Sequence, residues 1–258
     1  MGSPLAVALL YRAHARASLG DRSWRADLKR AIAIQRDLGE GAVVIVITYG
    51  YSLSVTNGLL LADAAALAET ADVLRNAENS SDDVALALAQ VAHGLVLTRA
   101  APADHGAGVD LMAKGREAQL CQRNLLSVAM VDIRTALLKA DTGNLDEAIA
   151  IARATVNELT DSGEMVIRGA ASAGLVAALL KRGNDTDVHE AEAVVDRLAA
   201  APTEPEFVVN DVWLLRLRAL LARAHGDDTA YRDYRDRYRE MARALGFEGH
   251  MKWAAAMP

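Results

Sequence analysis

Two groups of polar side chains in this sequence have residue types and spacing that could bind a ligand. The first lies in YRDYRDRYREMAR, residues 231–243, where three tyrosines alternate with five arginines. Interleaved basic and aromatic residues suit the binding of phosphate or single-stranded nucleic acid. Five acidic residues in and just before the segment balance the arginines, however, and the tyrosines recur at helical spacing. We therefore interpret the segment as a buried tyrosine stripe beneath a salt-bridged surface.

The second group consists of polar residues inside apolar segments that we assign to the first helices of helical hairpins. Its members are Thr48, Tyr49, Tyr51, Ser52, Asp132, Arg134, Arg168, Asn210 and Asp211. First helices often line the concave, ligand-binding face when hairpins stack side by side. These residues are thus our candidates for contact with a ligand or partner.

Arg168 and Asp211 allow a second interpretation. Arg168 lies 15 residues before Gly183, and Asp211 lies 15 residues before Gly226. Adjacent helices should therefore place the two side chains at the same height along the helix axes. We predict that they form a structural ion pair between repeats; the alternative is that they contact a ligand.

The sequence lacks the motifs of common catalytic and metal sites. It contains no G-x-x-x-x-G-K-[ST] phosphate loop, and no G-x-G-x-x-G follows a strand. His189-Glu190 lacks the second histidine that a zinc site needs. Asp185 and Asp187 lack the remaining ligands of a calcium loop. We therefore predict a non-enzymatic chain without cofactor or metal.

A clear helical hairpin lies in ALLKADTGNLDEAIAIARATVNEL, residues 136–159. A helix ends before Thr142-Gly143-Asn144, and Asn144 is positioned to cap the helix that follows. Leu145, Ile149, Ala152, Val156 and Leu159 then recur at offsets of 4 and 3, which predicts one apolar stripe. Neither helix could bury such a stripe alone.

The hairpin repeats along the chain. Turn residues at 102, 143, 183 and 226 are 40 to 43 residues apart, and the interval from Gly20 to Pro102 is two such periods. This spacing is typical of stacked helical hairpins and predicts an all-α, right-handed α-solenoid that forms a single domain, tetratricopeptide-like and with a period of about 41 residues. We expect six hairpins and a C-terminal cap, at approximately 4–38, 41–77, 82–120, 124–160, 164–200, 206–245 and 246–258.

One segment opposes this prediction locally. GAVVIVITYGYSLSVTNG, residues 41–58, is rich in β-branched residues that favour a strand. No partner strand is evident elsewhere, so we predict a helix from the repeat period.

Composition limits the class of protein. The net charge of -6 argues against a general nucleic-acid binder. A single cysteine, Cys121, fits a reducing compartment, so we expect a cytoplasmic location. The apolar run from Pro4 to Leu10 has no basic residue before it, unlike a signal peptide. The segment 41–61 carries too many polar groups for a membrane span.

Several segments together resemble one protein family. They are NGLLLADAAALAETADVL (57–74), VDIRTALLKADTGNLDEAIAIAR (131–153), LLRLRALLARAHGD (214–227) and the ending ALGFEGHMKWAAAMP. The chain resembles the C-terminal helical-repeat region of large bacterial class III adenylate/guanylate cyclase-like proteins, in which a cyclase domain and a P-loop ATPase module precede tetratricopeptide-like repeats. The cyclase's metal-binding aspartates and the ATPase's phosphate loop have no counterpart here. The resemblance thus implies a regulatory or partner-binding role.

Two functional hypotheses follow. The first is a scaffold in an adenylate cyclase/ATPase-type signalling protein, which binds a protein segment or the upstream cyclase/ATPase domains on its concave face. The second is a small-molecule-sensing repeat domain of an ATPase-coupled transcriptional regulator. Exposed terminal hairpins would also allow a homodimer. We expect neither nucleic acid nor membrane as a partner.

Overall fold

The structure, a computed structural model, describes residues 3–37, 44–101, 104–201 and 206–258. These residues form thirteen helices and no strand, which confirms the predicted all-α class. The helices are α1 (Pro4–Ser18), α2 (Trp24–Asp37), α3 (Val44–Thr56), α4 (Ala64–Glu78), α5 (Asp83–Ala100), α6 (His105–Cys121), α7 (Leu125–Asp141), α8 (Leu145–Asp161), α9 (Arg168–Arg182), α10 (Asp185–Ala199), α11 (Val208–Ala224), α12 (Asp228–Leu245) and α13 (Glu248–Ala255). The predicted hairpin bounds at 38 and 41 lie outside the described residues.

Helix α9 begins four residues after the predicted hairpin bound at 164, and local side chains determine where α4 and α9 begin. Helix α4 begins at Ala64 because the Asp63 carboxylate accepts a hydrogen bond from the backbone N–H of Ala66 at 2.8 Å. Helix α9 begins at Arg168 because the Glu164 carboxylate accepts from the backbone N–H of Val166 at 2.6 Å. The latter bond holds the residues before α9 in a turn.

The hairpin of α7 and α8 differs from the prediction at its cap. Asn144 precedes the first residue of α8, but its side chain makes no capping hydrogen bond. Its backbone, at φ -79° and ψ 58°, lies outside the extended conformation usual for a capping residue. The apolar stripe is buried at Ile149, Ala152, Val156 and Leu159, as predicted.

Helix α3 occupies the segment whose local preference is for a strand. Ten of its thirteen residues are buried, and it packs against α2, α4 and α5. A helix enclosed in this way needs no charged face, and α3 carries no charged residue.

Contacts divide the chain into two compact units. The first unit comprises Met1–Ala17 and Asp21–Val131, and the second comprises Ser18–Gly20 and Asp132–Pro258. In the first unit α5 packs against α3, α4 and α6. In the second unit α11 packs against α9, α10 and α12. In both units, the first helix of one hairpin therefore contacts both helices of the preceding hairpin.

Glycines allow α5 and α6 to approach closely. A Cβ atom at Gly94 would lie 2.8 Å from the carbonyl oxygen of Gly108. One at Gly115 would lie 3.0 Å from the carbonyl oxygen of Ala87. Gly108 and Gly115, which weaken a helix by intrinsic preference, thus form part of the contact surface of α6.

The C-terminal tail packs onto the end of the second unit. Phe247 is fully buried, and α13 lies against α12. In the preceding helix α12, which carries the predicted tyrosine stripe, Tyr231 and Tyr238 are buried, while Tyr234 is partly exposed.

Candidate functional site

Four of the nine predicted site residues lie in α3 of the first unit. Thr48 and Ser52 are buried, and the Thr48 hydroxyl donates to the Val44 carbonyl oxygen of the same helix. The Tyr49 hydroxyl accepts a hydrogen bond from Asn124 Nδ2 at 2.6 Å. These polar groups therefore serve packing within the first unit.

Tyr51 belongs to a small ionic network. Its hydroxyl donates to Glu69 Oε2 at 2.9 Å, and Arg36 forms a salt bridge with the other carboxylate oxygen. Burial and the neighbouring Glu69 carboxylate raise the pKa of Tyr51 above its ordinary value. Tyr51 thus remains a neutral hydrogen-bond donor that connects α3 to α4.

Two further predicted residues, Asp132 and Arg134, lie on α7 in the second unit. Both side chains are partly exposed. Burial lowers the pKa of Arg134, and Asp141 opposes this shift.

The predicted ion pair between Arg168 and Asp211 is wrong. The Arg168 guanidinium donates from Nε to the Glu164 carbonyl oxygen at 2.9 Å and from Nη2 to that of Leu159 at 3.0 Å. Among the described residues it forms no salt bridge with Asp211. The Leu159 carbonyl lies in the last turn of α8, where the helix cannot satisfy it, so Arg168 stabilises a helix end.

Desolvation and the neighbouring Glu206 carboxylate raise the pKa of Asp211, and Arg218 opposes this shift. The Asp211 side chain is exposed.

Asn210 lies where α11 crosses α9. It is buried, and neither its Oδ1 nor its Nδ2 has a hydrogen-bond partner among the described residues. The Nε1 of Trp213, three residues later, is likewise buried without a partner there. A Cβ atom at Gly169 would lie 2.4 Å from Trp213 Cδ1 and 3.1 Å from Asn210 Oδ1. Only glycine therefore leaves room for these two side chains.

Arg216, three residues after Trp213 on α11, lies against aromatic rings from α11 and α13. The Arg216 Cζ atom lies over two indole rings, 5.6 Å from the centroid of Trp213 and 5.1 Å from that of Trp253. The centroids of the two indoles are 5.3 Å apart. No described residue accepts a hydrogen bond from the Arg216 guanidinium, and none forms a salt bridge with it. Burial lowers its pKa.

Two buried side chains support the indole rings. The His250 ring lies edge-on to Trp213, with centroids 4.5 Å apart. Its Nδ1 is 2.9 Å from the hydroxyl of Tyr238. Burial raises the pKa of Tyr238, and Arg216 opposes this shift. We call Trp213, Arg216, Tyr238, His250 and Trp253 the arginine–indole cluster.

Four of the five arginines of 231–243 form salt bridges with acidic neighbours, as their sequence suggested. Arg237 Nη1 is 3.2 Å from Asp233 Oδ2, and Arg235 Nε is 3.0 Å from Asp236 Oδ1. Arg239 also donates from Nη2 to the Met257 carbonyl oxygen at 2.6 Å. These groups secure α12 and the tail, which argues against a phosphate-binding role.

Sequence reasoning missed the arginine–indole cluster. The sequence does indicate two parts of it. Trp213 and Arg216 are three residues apart on one helix, as are His250 and Trp253 near the C-terminus, and residues three apart are neighbours on a helix surface. The meeting of the two pairs depends on how the tail folds back, which the repeat period does not specify.

No group of three or more His, Cys, Asp or Glu that could hold a metal ion occurs among the described residues. No helix in the same part of the chain combines the length and apolar character needed to cross a bilayer. No protein-family model, curated protein or solved structure matches the sequence.

Proposed function

We propose that this chain is a helical-repeat scaffold that binds a protein segment along the first helices of its hairpins. The observation that carries the proposal is a set of contacts spaced by about one sequence period. Lys181 of α9 bonds to Ala140 of α7, 41 residues earlier. Arg197 of α10 donates to Asn157 of α8, 40 residues earlier. Successive hairpins with equivalent contacts are the basis of a solenoid.

The packing order within each unit supports the same architecture. First helices contact one another in the pairs α3–α5 and α9–α11. The second helices α4 and α10 pack against the first helices that follow them, α5 and α11. In a right-handed solenoid of six hairpins, this order would place the first helices on one concave face.

The proposed role is regulatory. By its resemblance to cyclase-associated repeat regions, the chain would bind a protein segment or neighbouring cyclase and ATPase domains and transmit the binding through helix packing. Such a role requires neither catalytic residues nor a cofactor.

A display library of random peptides, selected on the purified chain, tests this proposal. The affinity of a selected peptide is measured by calorimetry for the wild type and two charge-reversal variants. Asp211→Lys changes an exposed residue of the first helix α11, and Asp161→Lys changes an exposed residue of the second helix α8. We expect Asp211→Lys to alter the affinity by about tenfold, the equivalent of 1.4 kcal/mol.

Asp161→Lys should bind the peptide as the wild type does. The proposal fails if no peptide is selected, or if both variants bind it equally well.

A second candidate function is that of a small-molecule sensor. The specific observation in its favour is the Arg216 guanidinium, which lies against two indole rings without an acidic partner among the described residues. Aromatic surface around one polar group is a common composition for a small-ligand site.

A further inference from the structure

We infer that the arginine–indole cluster is a binding site for a carboxylate attached to an apolar or aromatic body. Its recognition residue is Arg216. The inference names the ligand chemistry for the proposed binding function, and it depends on that function only if the carboxylate belongs to a peptide.

The first argument is the unused hydrogen-bonding capacity of Arg216. A guanidinium offers five N–H donors in a planar fork. In the described part of the chain, none of these donors has an acceptor. By contrast, Arg182 in the same unit binds the Asp187 carboxylate through two bonds of 2.6 and 2.8 Å. Arg216 therefore differs from the arginines that stabilise the fold.

The second argument is electrostatic. Burial lowers the pKa of Arg216, and among the described residues Tyr238, whose own pKa is raised, opposes this shift. A partly buried cation without an anionic partner is costly. A ligand carboxylate would supply the missing charge and recover part of that cost.

The third argument concerns shape. The Arg216 Cζ lies over the rings of Trp213 and Trp253, within the distance of a cation–π contact. The in-plane N–H groups are the ones that bind a carboxylate through two parallel hydrogen bonds. Arg216 is partly exposed, and a ligand would approach it from its solvent-facing side. Trp253, which is also partly exposed, would contact the apolar body of that ligand.

A single guanidinium selects a carboxylate over a polyphosphate or nucleic acid. Binding several phosphates requires several cations, and binding to nucleic acids depends on their number. Within the described ranges, no other arginine or lysine lies over these two indole rings. The chain carries a net charge of -6. A monoanion with an aromatic body fits this combination.

The carboxylate can come from a free organic acid or from the C-terminus of a peptide. Phenylacetate serves as the probe for the first source, with phenylacetamide as its neutral control. N-acetyl-glycyl-phenylalanine serves for the second source, with its C-terminal amide as the control. Each pair differs only at the group that Arg216 would recognise.

The readout is the indole N–H region of a two-dimensional NMR spectrum. The protein has three tryptophans, so three signals are expected. Carboxylates should shift the signals of Trp213 and Trp253 in a saturable way. The signal of Trp24, in α2 of the first unit, should stay in place as an internal reference. The amides should shift none of them.

Variants at position 216 separate recognition from packing. Arg216→Met keeps an extended apolar side chain without the charge, and we expect it to weaken carboxylate binding by at least about tenfold. Arg216→Lys keeps the charge without the planar fork and should show intermediate affinity. The matched control is Arg223→Met, because exposed Arg223 also lies on α11, over the ring of Tyr231. It should bind as the wild type does.

The inference is overturned if the amides bind with the same affinity as the carboxylates. It is likewise overturned if Arg216→Met and Arg216→Lys both bind the carboxylates as tightly as the wild type does. It is also overturned if neither carboxylate binds at millimolar concentration. In that case, display-selected peptides that still respond to Asp211→Lys would leave the proposed scaffold function intact. Binding of phenylacetate alone supports the carboxylate site and favours the small-molecule sensor.

Discussion

Lys181 donates a hydrogen bond from Nζ to the backbone carbonyl oxygen of Ala140, 2.6 Å away and 41 residues earlier in the chain. Ala140 lies in the last turn of α7, and Lys181 lies in the last turn of α9. Carbonyl groups in a last helical turn lack partners within their own helix and carry partial negative charge. The lysine of one first helix therefore stabilises the end of the preceding first helix.

Replacing Lys181 should lower the stability of the second unit. We expect Lys181→Met to lower the free energy of unfolding by about 0.5–1 kcal/mol, the size of a cation's interaction with an exposed helix end. Urea denaturation followed by circular dichroism measures the change. Lys114→Met, an exposed change on α6, is the control and should have almost no effect. Equal losses in both variants would show that the bond to Ala140 contributes nothing.

The repeat could be predicted from sequence because it depends on local signals. Turn glycines such as Gly143, Gly183 and Gly226 adopt positive φ, which glycine tolerates best, and they mark the ends of helices. The spacing of these turns also indicated a helix at α3, where local propensity favoured a strand. Helix starts after Asp63 and Glu164 were less predictable, because single side-chain hydrogen bonds determine them.

The candidate site was less predictable because it depends on contacts between distant segments. Arg168 was expected to form an ion pair with Asp211 from their equal spacing to a turn. Sequence spacing places two residues at one level, but it does not determine the direction of a long side chain. Arg168 turns instead to the end of α8. Trp253 reaches Arg216 only because the tail returns to α11, which no periodic pattern specifies.

Glycine at position 169 should be essential to the contact between α9 and α11. A Cβ atom there would lie 2.4 Å from Cδ1 of the buried Trp213 ring. We expect Gly169→Ala to lower the free energy of unfolding by about 2 kcal/mol through overpacking. Thermal and urea denaturation both report this change.

Gly174 in the same helix provides the matched control. A Cβ atom there would meet nothing closer than Leu137 at 4.0 Å. Gly174→Ala should therefore stabilise the protein by about 0.5–1 kcal/mol, since alanine favours helix. If both variants changed stability in the same direction, close approach at Gly169 would not be the cause.

Close helix packing in the first unit allows a similar test. A Cβ atom at Gly115 of α6 would lie 3.0 Å from the carbonyl oxygen of Ala87 and 2.7 Å from Val91 Cγ2 of α5. Backbone atoms cannot move aside as a flexible side chain can. We expect Gly115→Ala to cost about 1–3 kcal/mol, measured by urea denaturation.

Gly106, in the first turn of α6, has nothing within 4 Å of the corresponding position. Gly106→Ala should leave stability unchanged or raise it slightly. If Gly106→Ala were also destabilised, alanine would be unfavourable in α6 even where no atom lies close, and the packing explanation would be contradicted.

The stability of the first unit should depend on the protonation of His14 in α1. Burial lowers the pKa of this histidine from 6.5 to about 4. Above pH 6.5 the ring is neutral in both folded and unfolded chains, so it contributes no pH dependence. Between pH 6.5 and 4 the unfolded chain binds a proton that the folded chain does not, so stability falls as the pH falls. The full loss would be at most about 3 kcal/mol.

Comparison of the wild type with His14→Gln isolates this contribution. Urea unfolding is measured at several pH values between 7.5 and 4.5 for both proteins. Below pH 6.5 the wild type should lose stability more steeply, because glutamine has no proton to bind in this range. His189→Gln, at an exposed position of α10, controls for removal of a histidine and should follow the wild-type curve. Parallel curves for the wild type and His14→Gln would mean that the His14 ring is protonated equally in both states, contrary to the burial that lowers its pKa.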